Sequence, residues 1–344
     1  MRKGMRKYRL KMKITKNKWN LIFLIFGLIL FFVFLYKFGL SAISIIKYNI
    51  NYYYLLAFVT TSFLSFVPHT LRFKSILDSY GKNIGLKTLM RHNISAFSLS
   101  YITPASRLGG EPIRVYMMNK EQNIDYKTGT SVVLLDKFVE ILGSLLYGII
   151  GLVLLIYMAE VPIIFRWIFG FFVFVGLLLI YIFYFRTKNN KQTISKLFYF
   201  LRLNKLKKLT NIGEKIKEIE MLMGDFFRNK KKALFKSFIF YLISGIFFIV
   251  MFKFLLLSIG FNATIAQVVL AINIWGLMNF APSPSSLGFL EAGQSGLFHV
   301  ISGDGSNGLV VALLLRVAFI LLTCLGFFFI SKFGYNRIKK DALK

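Results

Sequence analysis

Acid is scarce in this chain. Across 344 residues there are 14 Asp plus Glu against 44 Lys plus Arg, a formal net charge of +30. Cysteine is scarcer still, with Cys324 alone inside an apolar run, so neither a disulfide framework nor a thiolate metal site can be assembled. The three histidines, His69, His92 and His299, have no spacing that sets two on one helix face. A zinc or iron centre needs several converging N, S or O ligands, so no metal and no other cofactor is expected. Charge as a whole is low at 17%, while 56% of the residues are hydrophobic. Soluble domains run at about 25% charged and about 45–50% apolar, which excludes an ordinary soluble domain.

A basic chain can be a nucleic-acid binder. Here, however, the positive residues lie in blocks between apolar runs of about 20 residues, the pattern of cytoplasmic loops, so no nucleic acid is expected as a partner. The expected fold is all-α, a polytopic membrane helix bundle of about 7 to 8 spans, with re-entrant or broken helices at 88–120 and 275–301.

Residues 1–18 hold nine Lys or Arg and no acid, forming a basic cytoplasmic segment, and Trp19 to Phe38 is nearly uncharged. A signal peptide has an apolar region of about 7–15 residues followed by a small-residue cleavage site. This run is longer and ends Tyr36-Lys37-Phe38, so it reads as a retained first span. Further runs long enough for about 30 Å of hydrocarbon are Tyr52 to Val67, Thr128 to Met158, Pro162 to Phe185, Leu234 to Leu257, Ala263 to Phe280 and Leu309 to Phe333. Positive charge collects at 72–91, 186–236 and 332–344, while the loops near Lys47, Glu160, Gly260 and Asp304 carry almost none. The positive-inside rule then places both termini in the cytoplasm. The chain divides into the basic segment, a first membrane half (19–185), a cytoplasmic linker (186–233), a second membrane half (234–333) and a basic cytoplasmic tail (334–344). In the linker, Leu197, Leu201, Leu206, Leu209, Ile212, Ile216 and Ile219 have amphipathic helical spacing. Such a helix lies on the inner leaflet, held at about 1 kcal/mol per basic residue, or docks onto another protein.

Two stretches do not read as clean spans. Thr88 to Thr103 is short and polar (His92, Asn93, Ser95, Ser98, Ser100) and is broken by the run from Pro104 to Arg114. Trp275 to Ile301 is broken by the run from Ala281 to Glu291. In both, a proline is followed seven residues later by a glutamate: Pro104 to Glu111, and Pro284 to Glu291. Irregular backbone at membrane depth survives where protein or a water-filled cavity surrounds it. Interrupted segments in both halves of a transporter are the best sequence pointer to its binding site. The bland alternative is a pair of ordinary cytoplasmic loops.

At the first break Pro112 suits a helix start, beside Gly109 and Gly110, whose missing side chains allow close approach. A helix N-terminus with free amides is an anion site, and Arg107 and Arg114 are placed to clamp a phosphate bidentately. Glu111 then pairs with one of them or meets a cationic headgroup. In the following span Asp136 and Glu140 stand four apart with Lys137 between them, on a stripe with Gly143, Ser144, Tyr147 and Gly151. Charge at the bilayer centre costs about 2.5–3.5 kcal/mol even on the insertion scale, so this stripe is expected to face inward. The alternative is a structural ion pair with Lys137 or with an arginine elsewhere, such as Arg316, which otherwise snorkels, as Lys253 is expected to do. Ser285, Glu291 and Arg316 complete the candidate headgroup-binding set.

Gly303-Asp304-Gly305-Ser306-Asn307-Gly308 fits G-x-G-x-x-G, but a dinucleotide fingerprint needs a preceding strand and an acid about 20 residues on, where this chain has Phe328. There is no Walker lysine motif, three scattered histidines do not build a Ser/His/Asp triad, and a prenyl transferase would need two Asp-rich motifs.

The Gly-Gly-Glu-Pro-x-Arg core at 109–114, the Asp136-Lys137 and Glu140 set, and Ser283-Pro284 to Leu287-Gly288-x-x-Glu291 together resemble the lysylphosphatidylglycerol synthase/flippase transmembrane family, also called flippase-like domain proteins. The resemblance runs from about Trp19 to Phe333. Members often show Pro-Gly-Gly-Leu-Gly where this chain has Pro284-Ser285-Ser286-Leu287-Gly288, which puts a tight backbone approach there in question. The resemblance implies translocation of a polar-headed lipid across the bacterial or archaeal inner membrane. The lipid would be an anionic or aminoacyl phospholipid or a polyprenyl-phosphate glycolipid. In bifunctional members a soluble domain performs aminoacyl transfer; this chain ends at Lys344, so that chemistry is not expected of it and no enzymatic activity is expected. Two other readings remain: a membrane-embedded lipid-modifying enzyme using Asp136, Glu140 and Glu111, and a non-transporting partner of a separate lipid synthase.

Overall fold

A computed structural model describes residues 2–103, 109–157, 163–200 and 212–342, and every regular element among them is helical. In chain order the α-helices are α1 (Arg2–Tyr48), α2 (Tyr52–Leu64), α3 (Phe66–Asp78), α4 (Leu86–Ile102), α5 (Glu111–Gln122), α6 (Tyr126–Tyr157), α7 (Ile163–Lys188), α8 (Thr193–Phe200), α9 (Ile212–Asn229), α10 (Lys231–Ser258), α11 (Ile265–Met278), α12 (Phe289–Ser302) and α13 (Ser306–Ala342).

Among the described residues, six stretches are long and apolar enough to cross a bilayer: Ile22–Tyr48, Tyr52–Asp78, Tyr126–Tyr157, Arg166–Lys188, Lys231–Ser258 and Ser306–Ile338. The second is α2 and α3, with the helical hydrogen bonding interrupted at Ser65. Pro68 causes it, since its missing N–H leaves the Leu64 carbonyl without a helical donor. The span therefore runs eleven residues past the predicted end at Val67, and Arg72 stands inside it.

The four helices that flank the two predicted breaks are short. At 1.5 Å per residue, the 17 residues of α4 reach about 25 Å and the 12 of α5 about 18 Å. The 14 residues each of α11 and α12 reach about 21 Å. The predicted span Ala263 to Phe280 is thus a half-length helix, opened by a Thr264–Gln267 capping box and closed at Asn279, ahead of Pro282 and Pro284. Both predicted breaks fall between short helices.

The chain forms two compact units with boundaries inside α2, α4 and α10. One comprises Met1–Val59, Ser95–Gly110 and Met251–Lys344; the other comprises Thr60–Ile94 and Glu111–Val250. In the first unit α1 meets the break before α12 glycine against glycine. A Cβ on Gly27 would strike the Leu287 carbonyl, and one on Gly288 the Gly27 carbonyl. In the second unit the core centres on Phe138, whose ring lies 4.9 Å from that of Phe227 and 6.1 Å from that of Tyr184. There α6 and α10 interlock reciprocally: the Tyr241 ring fills the space over Gly143, and Tyr147 fills that over Gly245.

In the linker, Leu201, Leu206 and Leu209 lie outside the described residues. Its described helix α9 also contributes to the interior of the second unit. Met223, Phe226 and Phe227 have no exposure and join the core of the second unit, because spacings of three and four put them on one helix face.

The helix order carries an internal repeat at a constant offset of 180. Asp78 and Ser258 both end a long helix, Gln122 and Ser302 both end a short one, and Tyr126 and Ser306 both begin the next long one. The same offset joins Asn93 to Asn273, Pro104 to Pro284, Glu111 to Glu291 and Asp136 to Arg316. The shared Pro-to-Glu spacing of the two breaks is one part of this register.

Candidate functional site

The sequence-predicted residues fall into two clusters, one in each unit. In the second unit Asp136 is fully buried in α6 and receives two guanidinium groups. Arg72 of α3 donates Nε–H to Oδ1 at 2.7 Å and Nη2–H to Oδ2 at 3.1 Å. Arg114 of α5 donates to Oδ2 from Nη1 at 3.3 Å and from Nη2 at 3.4 Å. Arg114 also pairs with Glu111, donates to Asn93 Oδ1 at 3.1 Å, and lies 4.2 Å from the centre of the Phe73 ring. Arg72 reaches Glu140 Oε2 at 3.3 Å and stands 5.7 Å from the centre of the Tyr241 ring.

Lys137 closes the cluster, its Nζ at 3.0 Å from both Glu111 Oε1 and Glu140 Oε2. Among the described residues, three cations (Arg72, Arg114, Lys137) thus meet three carboxylates (Asp136, Glu111, Glu140). The members differ in depth. Arg72, Arg114 and Asp136 are at most 3% exposed, whereas Glu111, Lys137 and Glu140 are 15, 16 and 14% exposed. The interior three form a fixed base and the other three a rim. His69 of α3 lies against the base: its Nε2 is 3.2 Å from Arg72 Nη2, which can only donate, so the ring accepts there and carries its hydrogen on Nδ1. That Nδ1 is buried and has no partner among the described residues.

The expectation of an open anion cradle at the start of α5 changes in detail. Gly110 donates its amide to Ser100 Oγ at 2.9 Å, and its missing Cβ makes room for the Ala96 carbonyl of α4. Gly109 lies against Thr103 in the same way. These glycines serve helix contact. Glu111 already places a carboxylate in the first turn of α5, where the helix dipole favours it. Arg107 lies outside the described residues.

The inward stripe of α6 divides as well. Asp136 and Glu140 belong to the ion network, while Gly143, Ser144 and Tyr147 pack on α10, with Ser144 Oγ and Tyr241 Oη 3.1 Å apart.

In the first unit Arg316 of α13 pairs bidentately with Glu291 of α12, through Nε to Oε1 and through Nη2 to Oε2 at 2.8 Å. Among the described residues its carboxylate partner is Glu291 of its own unit, so it does not snorkel. Arg316 also donates to the carbonyls of Ser285 at 3.0 Å and Ser286 at 3.4 Å. Glu291 accepts the Gly288 amide at 2.9 Å, and Ser285 donates its hydroxyl to the Tyr101 carbonyl at 3.0 Å. Ser285 and Ser286 both have a φ of 52°, the left-handed region that favours glycine. The backbone here is as tight as a glycine pair would make it, and Arg316 holds it. Lys253, the other cation expected to snorkel, donates to Asn262 Oδ1 at 2.9 Å and to the Ala263 carbonyl at 2.5 Å.

Arg72, His69 and Asn93 escaped the sequence reading. Arg72 looked like the first residue of a basic loop; the signal was the apolar sequence continuing beyond it in Phe73, Ile76 and Leu77, all fully buried.

The family model for the lysylphosphatidylglycerol synthase TM region matches residues 20–326. No curated protein and no solved structure matches the chain.

Proposed function

The chain belongs to the family of lysylphosphatidylglycerol synthase TM regions, and on that premise we propose that it is a lipid flippase. It moves a polar-headed, phosphate-containing lipid across the bacterial or archaeal inner membrane and performs no chemistry of its own on it. The observation that carries this reading is the six-charge cluster of the second unit. Charged side chains on apolar spans are costly and mark substrate or ion pathways. Here three of them, Glu111, Lys137 and Glu140, are partly exposed above a buried base. A headgroup phosphate competes with Glu111 and Glu140 for the rim donor Lys137 while the acyl tails stay in lipid.

The internal repeat supports the same reading. With basic segments inside, the long helix leading the first copy (Tyr52–Asp78) runs inward and the one leading the second (Lys231–Ser258) runs outward. Inverted repeats with interrupted short helices are a recurring plan of secondary transporters.

The test is reconstitution into vesicles with a trace of headgroup-labelled phosphatidylglycerol, aminoacylated phosphatidylglycerol or polyprenyl-phosphate glycolipid, followed by a membrane-impermeant quencher. Protein-containing vesicles are expected to expose inner-leaflet label to the quencher faster than protein-free ones for at least one of these lipids. Identical rates for all three would overturn the proposal.

A further inference from the structure

The groups that hold Arg114 differ in what an arriving headgroup does to them. Asp136 and Glu111 are carboxylates, and Glu111 shares Lys137, the donor for which a phosphate competes. Asn93 of α4 is a buried, neutral amide that accepts from Arg114 Nη1 at 3.1 Å. We infer that Asn93 is a positioning residue of the headgroup site, acting through Arg114; the inference rests on the flippase reading.

Hydrogen bonds fix which way the amide points. Thr70 of α3, fully buried, donates its hydroxyl to the Phe66 carbonyl at 2.7 Å, so its oxygen is left to accept. Asn93 Nδ2 donates to that oxygen at 3.0 Å, which turns Oδ1 toward Arg114. From there the relay runs to the rim: Arg114 Nη2 pairs with Glu111 Oε2, and Glu111 Oε1 lies 3.0 Å from Lys137 Nζ. The backbone of α3 is thus connected through Thr70, Asn93, Arg114 and Glu111 to Lys137, all within the second unit. The Phe73 ring, centred 4.2 Å from the guanidinium, supports its face, while Asn93 sets the direction of its Nη1 edge.

An amide suits this task because it carries no charge. A phosphate that draws Lys137 away from Glu111 redistributes the ion pairs of the rim, where carboxylates and cations can exchange partners. The bond from Arg114 to Asn93 takes no part in that exchange. It keeps the guanidinium in place, and with it the carboxylate of Glu111 to which Lys137 returns when the headgroup leaves. The internal repeat points the same way. At the offset of 180, Thr70, Asn93 and Arg114 become Val250, Asn273 and Gln294. Gln294 Nε2 donates to the Ala271 carbonyl of α11 at 2.9 Å, and Asn273 Nδ2 donates to the Val269 carbonyl of its own helix at 2.9 Å. The residue at 114 or 294 braces the preceding short helix in both copies, but the side-chain relay from Thr70 is built in the copy that carries the six-charge cluster.

The experiment titrates phosphatidylglycerol, with phosphatidylcholine as the comparison, into micelles of the full chain and follows thermal unfolding. A lipid bound by the folded protein raises its melting temperature saturably, and phosphatidylglycerol is expected to do so beyond phosphatidylcholine. The readout is the half-saturating phosphatidylglycerol content. An Asn93 that served stability alone would lower the melting temperature without lipid and leave that content unchanged. Asn93→Leu, which removes both amide hydrogen bonds, is expected to raise it about tenfold, the scale of a hydrogen bond to a charged group. An Asn93→Leu protein that keeps the parent's half-saturation, whatever its own melting temperature, overturns the assignment. Should Asn93→Leu fail to fold, the nearly isosteric Thr70→Val tests the relay one step back: a rise of about threefold is expected, the scale of a neutral hydrogen bond, and unchanged half-saturation overturns the relay. Movement of labelled lipid in vesicles separates the two readings. A parent that binds phosphatidylglycerol in micelles but moves no labelled lipid tells against the flippase while the variants still decide the role of Asn93. A parent whose melting temperature ignores phosphatidylglycerol overturns the positioning of a headgroup there.

Discussion

Arg316 carries more of the second break than any other side chain described in the first unit, and its removal is expected to be costly. It donates to both oxygens of Glu291, which has no solvent exposure, and to the carbonyls of Ser285 and Ser286. Arg316→Gln leaves a buried carboxylate without its cation, a loss of about 3–5 kcal/mol. Two carbonyls lose their donor as well, at about 1–3 kcal/mol each where no water replaces it. Glu291→Gln strands the guanidinium but keeps the carbonyl bonds, so it is expected to cost less. The double variant, with two neutral amides facing each other, should recover about 1–3 kcal/mol relative to the sum of the single changes. At about 2.1 cal/mol/K of unfolding entropy per residue, 344 residues correspond to about 1.4 °C per kcal/mol, so Arg316→Gln lowers the melting temperature by about 7 °C or more. The assay is thermal unfolding in detergent, read by the fraction remaining monodisperse and fluorescent. An Arg316→Gln protein melting within about 1 °C of the parent, or single effects that simply add, would refute the reasoning.

Ser286 has a φ of 52°; left-handed backbone costs a non-glycine residue about 1–2 kcal/mol, and glycine loses about 0.5–1 kcal/mol through chain entropy. Ser286→Gly is therefore expected to match or exceed the parent's stability by up to about 1 kcal/mol, and a clear fall in melting temperature would contradict the left-handed assignment. Glu121 accepts from His92 Nε2 at 2.9 Å and from Arg91 Nη2 at 3.1 Å, and the His92 bond above all holds its carboxyl below the usual carboxylate range. Its stabilisation is present above the ordinary value of 4.5 and is lost as the pH falls through the lower folded value. Glu121→Gln should accordingly reduce stability at neutral pH and flatten the acid-side decline below about pH 4.5; parallel parent and variant profiles down to pH 3 would contradict it.

Much of the membrane architecture was legible because bilayer thickness and helical rise leave little freedom: Leu234 to Leu257 became Lys231–Ser258, and helices end at Ile102 and Met278 and resume at Glu111 and Phe289, within the two stretches read as broken. Charge cost likewise marked Asp136 and Glu140 as inward, as observed. What stayed hidden depends on partners distant in sequence. Arg72 meets Asp136 across 64 positions and Arg316 meets Glu291 across 25, and no local spacing reports such pairs. Gly109 and Gly110 misled for a related reason: a missing side chain admits whatever comes close, and here that is the Thr103 side chain for Gly109 and the α4 backbone at Ala96 for Gly110. The serines at 285 and 286 show the converse, with backbone geometry imposed by Arg316 overriding what the residue type prefers.

The two copies of the 180-residue register solve one electrostatic problem with different letters. Glu111, Arg114 and Asp136 in the first correspond to Glu291, Gln294 and Arg316 in the second. Both keep the glutamate, but the balancing cation has migrated from the short helix to the long one. If the copies share an ancestor, that migration could not have proceeded one substitution at a time without passing through a form with surplus buried charge: two arginines facing one glutamate, or two carboxylates facing a neutral amide. Either intermediate carries the cost of an unmatched ion in a poorly solvated place. The copies are therefore epistatically locked: the first triad depends on Arg72 against Asp136, and the position at the same offset in the second copy is Phe252, so a triad exchanged between copies has to carry that arginine with it.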